Sequence, residues 1–263
     1  MRLGIDVGGT FTDVVLVDET GERTLEKVPT TSPPDRGVVE AIDRACANAG
    51  VEPERIAAFR HGTTVATNAL LTRSGATTAL VTTEGFRDVL EIGRQDRPDL
   101  YDLETARPDP LVPRRRRFEL EQRTHPPSGD DPARHVREPS DSELADLVED
   151  LRRSDPESIA VCLLHAYADD EHERLVADRL RDALDVPVIT SGALHPEFRE
   201  YERTATTVTS AYLTPVLGTY LQRLEAACES RGLPAPRLMQ SNGGITTPAE
   251  ARRRAVTTVL SGP

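Results

Sequence analysis

Short apolar runs at the start of the chain alternate with polar residues at the two-residue period of β-strands. The runs cover residues 3–7, 13–17 and 24–28, and turn residues such as Gly8 and Gly9 separate them. Because the side chains of a strand point alternately to its two faces, this pattern predicts three antiparallel strands. The first two runs are close enough in sequence to form a β-hairpin.

Further along, strand patterns alternate with helical ones. A helix is predicted from Pro34 to Ala49, with Gly50 as its stop, and Ser140 or Asp141 is predicted to cap a later helix. The remaining strands are predicted at 56–59, 77–82, 159–164, 186–190, 238–240 and 256–260, and the remaining helices at 61–73, 85–92, 141–153, 169–184 and 202–231. This alternation predicts an α/β fold in which helices cover a partly parallel sheet.

The stretch 94–139 has neither period and is dense in proline and aspartate. Only residues 118–120 favour a strand, and 124–139 is predicted to be an exposed loop. Four arginines at 114–117 are interpreted as a solvated face rather than a nucleic-acid site, because their neighbours are acidic.

Composition excludes several classes of protein. Acidic residues outnumber basic ones 44 to 32, for a net charge of −12, and Lys27 is the only lysine. A nucleic-acid-binding protein needs a basic surface, so no nucleic-acid partner is expected. A Walker-type phosphate loop needs a lysine directly after its glycines, which this chain lacks. The acidic surface also suits a high-salt environment, which is a hypothesis.

The cysteines and the hydropathy pattern bear on the cellular compartment. Cys46, Cys162 and Cys228 are far apart in sequence and form no Cys-x-x-Cys motif, so buried free thiols are expected. The N-terminus has no apolar leader, and no apolar run reaches the length of a membrane span. A cytoplasmic protein without a membrane partner is therefore predicted.

The opening turn carries the most suggestive chemistry. Its glycines, Gly8 and Gly9, tolerate a positive φ and allow an anion to approach the backbone, and the hydroxyls of Thr10 and Thr12 add donors. The flanking residues Asp6 and Asp13 have the carboxylates that a hydrated Mg²⁺ prefers. The segment therefore resembles half of a nucleotide-phosphate clamp, and a plain hairpin with two solvated aspartates is the alternative interpretation.

Two further glycine-containing segments have candidate chemistry. The first has His61, Thr63, Thr64 and Asn68 at a strand-to-helix junction, where donors and a histidine can polarise a carbonyl or relay a proton. The second is a turn after a strand, with Ser241, Asn242, Gly243 and Gly244. An ordinary helix cap with a core histidine and a type I′ turn remain the respective alternatives.

A third segment, 165–172, contains two histidines and three acidic residues. Its spacing matches no common zinc pattern, so the entry to a helix is favoured over a metal site. A serine-protease-like triad is not supported either, because the chain has no Gly-x-Ser-x-Gly motif.

The order of five motifs resembles the hydantoinase A/5-oxoprolinase family, which includes N-methylhydantoinase A and acetone carboxylase-like subunits. The motifs are Gly4-Ile5-Asp6-Val7-Gly8-Gly9-Thr10-Phe11-Thr12-Asp13, Arg60-His61-Gly62-Thr63-Thr64-Val65-Ala66-Thr67-Asn68, Arg199-Glu200-Tyr201-Glu202-Arg203-Thr204, Met239-Gln240-Ser241-Asn242-Gly243-Gly244 and Ser261-Gly262-Pro263. The resemblance covers the chain from Leu3 to Pro263 and corresponds to the N-terminal half of the longer family members.

This resemblance implies an actin-like ATPase fold, a ribonuclease H-like mixed sheet with flanking helices, in an incomplete copy. It implies residues 1–190 as the N-terminal region and 199–263 as the start of a second, truncated domain. It also implies ATP and Mg²⁺ as cofactors, with Gly8, Gly9, Thr10 and Thr12 on phosphate and Asp6 and Asp13 on the ion through water. The implied catalytic residues are Asp6, Asp13 and His61, and the substrate side is assigned to Thr63, Thr64, Asn68, Ser241, Asn242, Gly243 and Gly244.

The reaction implied by the resemblance is ATP-dependent hydrolysis of a small cyclic amide, of the hydantoin or 5-oxoproline type, through phosphorylation of the amide oxygen. A carboxylase subunit that activates a ketone with ATP is an alternative. A third possibility is a non-catalytic remnant or assembly partner. A second large subunit, or the missing C-terminal half, is the expected protein partner.

Overall fold

The structure is a computed structural model that describes residues 1–96, 98–102 and 104–259. The chain divides into two compact units, the first comprising Met1–Gly75 with Val216–Pro263 and the second Ala76–Pro215. These two units are defined by contacts within the folded chain. They do not test the sequence regions 1–190 and 199–263, which stay a prediction. The predicted motif 261–263 and the end of the predicted strand 256–260 lie outside the described residues.

The first unit begins with the predicted antiparallel strands and continues into alternating elements. Its first elements are β1 (Arg2–Val7), β2 (Phe11–Val17), β3 (Arg23–Pro29), α1 (Pro34–Ala49), β4 (Ala58–Thr63) and α2 (Val65–Leu71). Gly50 ends α1 in the left-handed conformation, with φ 64°, as the sequence predicts.

The second unit has its own strands and helices. They are β5 (Thr78–Thr83), α3 (Val89–Ile92), β6 (Arg117–Leu120), β7 (Arg123–His125), β8 (Arg134–Arg137), α4 (Asp141–Ser154), β9 (Ser158–Cys162), α5 (Glu171–Ala183), β10 (Val188–Thr190) and α6 (Ser191–Leu194). Ser140 caps α4: its hydroxyl accepts from the Glu143 amide and the Glu143 carboxylate accepts from the Ser140 amide.

The long helix α7 (Glu200–Glu229) contains the boundary between the units at Pro215. The first unit then resumes with β11 (Arg237–Met239), β12 (Ile245–Thr246) and α8 (Pro248–Arg253). Within the described residues, none of the helices combines the length and the apolar character that a bilayer span requires.

The sheet of the first unit is mixed, in the order β12-β11-β4-β1-β2-β3. Strands β11, β4 and β1 are parallel neighbours, whereas β2 pairs antiparallel with both β1 and β3. Leu3, Ile5 and Val7 are buried on one face of β1, and α1 packs against β2 and β3. The opposite face of the sheet carries the charged residues Asp6, Asp13 and Lys27 together with apolar residues such as Val15 and Leu25.

The sheet of the second unit is parallel, in the order β10-β9-β5-β6. Every residue of β5 and β9 is buried, as expected for strands covered on both faces. The side chains of α4 and α5 fill one core cluster against these strands, among them Leu151, Val176 and Leu180. The two sheets with flanking helices confirm the predicted α/β class.

Several predicted elements differ from those observed. Strand β4 continues through Thr63, so His61 lies inside a strand and not at the opening of a helix. Residues 255–258 form a short 3₁₀ turn where a strand was predicted. Hydrogen bonds hold the threonines of this turn. The Thr258 hydroxyl donates to the Ala255 carbonyl, and the Thr257 carbonyl accepts from the Ser241 amide.

The irregular stretch also differs from its prediction. It contains the antiparallel pair β7–β8 within the region predicted to be an exposed loop. The side chain of Arg117 is fully buried and its guanidinium lies 2.8 Å from the Glu91 carboxylate, so only part of the arginine run is solvated. The three cysteines are free and buried, which confirms the prediction for them.

Candidate functional site

Three glycine-containing segments meet at one edge of the first unit's sheet. Strands β1, β4 and β11 are parallel neighbours, so their carboxyl ends lie at the same edge. The turn Gly8–Thr10 follows β1, Thr64 follows β4, and the turn 240–244 follows β11. In open α/β sheets ligands bind outside the carboxyl ends of the strands. The structure therefore brings together three segments that the sequence singled out separately.

The first turn is tied to the loop after β3. The Gly8 amide donates to the Phe11 carbonyl at 2.9 Å, and the Thr30 hydroxyl donates to the Gly8 carbonyl at 2.8 Å. Neither Gly8 nor Gly9 has a left-handed φ, so the expected positive φ is wrong, whereas the expected approach of an anion to the backbone stays a prediction. The requirement is for space, because a Cβ at Gly8 would lie 3.1 Å from the Phe11 carbonyl oxygen.

The second segment contacts the first directly. The backbone amide and the hydroxyl of Thr64 both donate to the Val7 carbonyl, at 3.0 and 2.9 Å, and the side-chain amide of Asn68 donates to the Thr64 hydroxyl at 3.3 Å. A Cβ at Gly9 would lie 3.9 Å from the Asn68 side-chain nitrogen. Gly9 and Thr10 are exposed, and within the described part of the chain their amides find no acceptor. Unpaired amides of this kind are available to an anion.

The two predicted aspartates lie opposite each other. Asp6 and Asp13 are register partners in the β1–β2 pair, so their carboxylates share one face of the sheet. Asp13 forms an ion pair with Lys27 at 2.6 Å, whereas no ion pair to Asp6 occurs among the described residues. Partial burial and the neighbouring Asp13 raise the pKa of Asp6. A divalent cation relieves this repulsion, and oxygen ligands on one face suit hydrated Mg²⁺.

An open cavity of about 600 Å³ lies over the same face. Asp6, Asp13, Lys27, Arg60 and Gly62 are among its lining residues. The strand register explains why these residues line one cavity. Gly62 pairs with Asp6 and Lys27 pairs with Asp13 on adjacent strands. The volume is within the usual range for small-molecule pockets. Side chains of both signs of charge line this cavity.

His61 does not occupy the position predicted for a catalytic residue. It pairs with Ile5 in the β1–β4 register, so its side chain shares the buried face, and its exposure is 0%. Its Nε2 atom lies 2.6 Å from the Tyr220 hydroxyl. Burial lowers the pKa of His61 to about 4, so the imidazole is neutral. The geometry gives His61 a role in the core of the unit, so its position does not support the predicted role as a catalytic residue.

Two of the predicted threonines are buried as well. Thr12 has 0% exposure, and its hydroxyl lies 3.2 Å from the Thr30 hydroxyl. This hydrogen bond connects the start of β2 with the loop after β3. Thr63 is 1% exposed; its hydroxyl accepts from the Val65 amide at 3.2 Å and also bonds to Tyr220. Both hydroxyls therefore support the exposed residues Gly9, Thr10 and Asn68 and the half-buried Thr64, and they do not reach a ligand themselves.

The third segment is a tight turn. The Gly243 amide donates to the Gln240 carbonyl at 2.9 Å, and Gly243 has a φ of 81°, which favours glycine. The Asn242 side chain accepts from the Gly244 amide at 2.9 Å, and both the amide and the hydroxyl of Ser241 donate to the Thr257 carbonyl. The side chains of this turn are thus committed to the turn itself, although 241–243 remain exposed.

Sequence reasoning missed Lys27, Arg60 and Thr30 as members of this region. Lys27 could have been found from the sequence, because the alternating pattern of the third strand places it on the outward face. Arg60 could have been found only from the parallel register of β1 and β4, which joins segments more than fifty residues apart. That pairing depends on tertiary structure.

Comparison with known proteins gives consistent matches along the chain. The family model described as hydantoinase/oxoprolinase N-terminal region matches residues 2–184, and the hydantoinase/oxoprolinase model matches 203–263. The chain is 39% identical over 269 residues to an uncharacterized protein of Methanocaldococcus jannaschii. It is 35% identical over 281 residues to caprolactamase subunit alpha of Pseudomonas jessenii and 30% identical over 297 residues to 5-oxoprolinase of Saccharomyces cerevisiae.

These relatives are much longer than this chain. Each alignment covers 100% of the chain but only 38%, 38% and 23% of the respective relative. The crystal structure of ATP-dependent caprolactamase from Pseudomonas jessenii superposes with a TM-score of 0.89 at 32% identity, and 39% of that chain is covered. The nucleotide-free structure of acetone carboxylase superposes with a TM-score of 0.86 at 28% identity, again with 39% covered.

Proposed function

The chain belongs to the hydantoinase/oxoprolinase family, and from this premise we propose that it forms the nucleotide-binding part of an enzyme that hydrolyses a small cyclic amide with ATP. The family membership confirms the resemblance that the sequence motifs carry. The actin-like mixed fold is likewise confirmed by superposition on two solved chains, of which this chain spans about two fifths. The substrate, the cofactors and the residue roles below are proposals.

One observation carries the proposal. The exposed amides of Gly9 and Thr10, the outward-facing carboxylates of Asp6 and Asp13, and the exposed turn at 241–243 belong to one edge and one face of a single sheet. In this arrangement the amides of the turn bind phosphate oxygens. The two carboxylates would hold a hydrated Mg²⁺, which would supply positive charge to neutralise the phosphate oxygens.

The chemistry explains why a nucleotide is needed. A cyclic amide is a poor electrophile, and ATP, when bound, supplies a phosphoryl group that turns the amide oxygen into a leaving group. The chain's own residues bind and orient. Lys27 is 2.6 Å from Asp13 and contributes positive charge beside the ion, and Thr64 and Asn68 fix the position of the exposed turn. Thr64, Asn68 and the 241–244 turn are the candidates for the substrate side.

The relatives support the type of substrate. Two of them are called caprolactamase and 5-oxoprolinase, and both names denote action on a cyclic amide. Because this chain spans well under half of each relative, we propose that its activity requires a further segment or a second large subunit.

A second candidate is a subunit of an ATP-dependent ketone carboxylase. The observation that favours it is the superposition on acetone carboxylase, with a TM-score of 0.86 over the whole chain. The same nucleotide site serves both candidates, since a ketone oxygen can also accept a phosphoryl group. The two candidate functions differ in the compound that accepts the phosphoryl group, which is a cyclic amide in the hydrolase and a ketone in the carboxylase. A non-catalytic assembly role remains the third alternative and predicts no nucleotide binding.

Calorimetric titration of the chain with Mg-ATP tests the proposal. We expect binding in the millimolar range or tighter, loss of binding on Asp6→Asn, and no change on Asp146→Asn, which removes the same charge from the exposed face of α4. Thermal denaturation checks that both variants fold. A wild-type chain that gives no heat with Mg-ATP contradicts the proposal and favours the assembly role.

The substrate is identified in the complete assembly. ATP hydrolysis is measured with hydantoin, 5-oxoproline, caprolactam, or acetone plus bicarbonate as the added compound. Stimulation by a cyclic amide supports the hydrolase, whereas stimulation only by acetone with bicarbonate supports the carboxylase.

A further inference from the structure

Two histidines and three carboxylates cluster in the second unit, where β8 meets the start of α5. His135 lies on β8 and His172 in the first turn of α5, and their ring centroids are 4.0 Å apart. Glu138, Asp169 and Glu171 surround the two rings. The local spacing of 165–172 matches no zinc pattern, but the fold adds a histidine from the stretch predicted to be an exposed loop.

Hydrogen bonds determine which nitrogen of His172 carries its proton. The Thr83 hydroxyl oxygen accepts from the Leu164 amide at 2.9 Å and from the side-chain amide of Gln122. The Gln122 carbonyl oxygen consequently faces His172 and accepts from Nδ1 at 3.2 Å. With the proton on Nδ1, the Nε2 atom has a free lone pair, as a metal-binding imidazole requires.

This lone pair is buried and has no partner. His172 is 3% exposed, and within the described residues no group makes a hydrogen bond to its Nε2 atom. Leaving a buried polar atom unpaired is unfavourable. A bound cation satisfies the atom.

The neighbouring groups supply the remaining ligands. One ligand atom each from His135, Glu138 and His172 lie within 4.8 Å of one another. Ligand atoms around a tetrahedral zinc ion are about 3.4 Å apart, so modest side-chain rotation closes the site. Asp169 lies 3.3 Å from His135 Nε2, and metal-binding histidines commonly have such a carboxylate on their other nitrogen.

We propose that His135, His172 and Glu138 bind a divalent transition-metal ion, with Zn²⁺ the best match. Two imidazoles and one carboxylate suit zinc, whereas Mg²⁺ and Ca²⁺ prefer oxygen ligands alone. The ion ties the β7–β8 pair to α5. A two-stranded hairpin is marginally stable by itself, so this bond stabilises the second unit without taking part in the nucleotide chemistry.

Cobalt substitution tests the site in the intact chain. After removal of metals with a chelator, we expect one equivalent of Co²⁺ to give visible ligand-field absorption, and Zn²⁺ to displace it and raise the melting temperature. His135→Ala weakens Co²⁺ binding by about 100-fold or more, and Asp169→Asn by about 10-fold. His195→Ala, which removes another histidine paired with a carboxylate in this unit, has no effect.

Two outcomes overturn the proposal. A wild-type chain that binds neither Co²⁺ nor Zn²⁺ leaves the two rings as a simple stacked pair. Equal loss of binding in His195→Ala and His135→Ala shows that metal binds nonspecifically. Glu138→Gln provides a second test, because Glu138 is exposed and its replacement leaves the core intact. Circular dichroism confirms folding of each variant.

Discussion

The Tyr220 hydroxyl lies 2.6 Å from Nε2 of His61, and both side chains are buried in the first unit. Burial lowers the pKa of His61 to about 4, from 6.5 for an exposed histidine. As the pH falls below 6.5, the unfolded chain therefore binds a proton at His61 before the folded chain does. Stability is present above pH 6.5 and is lost as the pH falls toward 4.

The size of this effect is measurable. At about pH 5 the expected loss of unfolding free energy through His61 is about 2 kcal/mol relative to neutral pH. Urea denaturation of wild type and His61→Gln at both pH values checks it, and the variant should show a smaller pH dependence by that amount. Tyr220→Phe keeps the titrating ring and should retain the dependence. An unchanged dependence in His61→Gln would contradict a depressed pKa at this position.

The facing carboxylates on β1 and β2 predict a gain in stability on mutation. Asp6→Asn removes repulsion between like charges directly opposite in a strand pair, so it should stabilise the metal-free protein by a few tenths to about 1 kcal/mol. Asp13→Asn should gain less, because it also breaks the exposed ion pair to Lys27. Chemical denaturation at low salt measures both. Destabilisation by Asp6→Asn would mean that this carboxylate already has a stabilising partner.

The two turn glycines should respond differently to alanine. A Cβ at Gly8 would lie 3.1 Å from a backbone oxygen, so Gly8→Ala should cost about 1–3 kcal/mol of unfolding free energy. A Cβ at Gly9 has room, and Gly9→Ala should change stability by less than about 0.5 kcal/mol. Calorimetry should nevertheless show at least about tenfold weaker Mg-ATP binding for Gly9→Ala. Unchanged affinity would remove Gly9 from the phosphate site.

A buried ion pair in the second unit predicts a large loss of stability. Arg203 and Glu173 are both 0% exposed and 3.9 Å apart, and Arg203 also donates to Ser191 and to the Leu163 carbonyl. Arg203→Leu should cost about 3–5 kcal/mol, whereas Arg94→Leu, in an exposed pair with Glu202, should cost less than about 1 kcal/mol. Equal costs in urea denaturation would show that burial of the pair is irrelevant.

The loss at Arg203 should also depend on pH. Burial raises the pKa of Glu173 to about 7, so the carboxyl can bind a proton when its cationic partner is removed. The cost of Arg203→Leu is therefore expected to be smaller at about pH 6 than at about pH 8. Denaturation of the variant and wild type at both pH values gives the comparison, and a pH-independent difference would contradict it.

Local features of the chain were predictable because neighbouring residues decide them. The alternating runs specify the β1–β2 hairpin, Gly50 ends α1 in a left-handed conformation, and Ser140 with Glu143 forms the capping box of α4. Each depends on a backbone preference or on hydrogen bonds within a few residues.

Other features depended on partners distant in sequence. His61 was predicted at a ligand site, but its register opposite Ile5 turns it toward the core. Residues 255–258 have strand-like composition, yet form a 3₁₀ turn that bonds to Ser241. His135 was assigned to a loop, and the fold brings it to 4.0 Å from His172. No local pattern specifies these pairings.

The sequence by itself determined the family, the α/β class and the segments in which the candidate chemistry lies, because these depend on residue type and on short-range periodicity. The tertiary structure decided which members of each segment face a ligand and which are buried. A strand has two faces, and only its pairing with neighbours from elsewhere in the chain determines which one is covered.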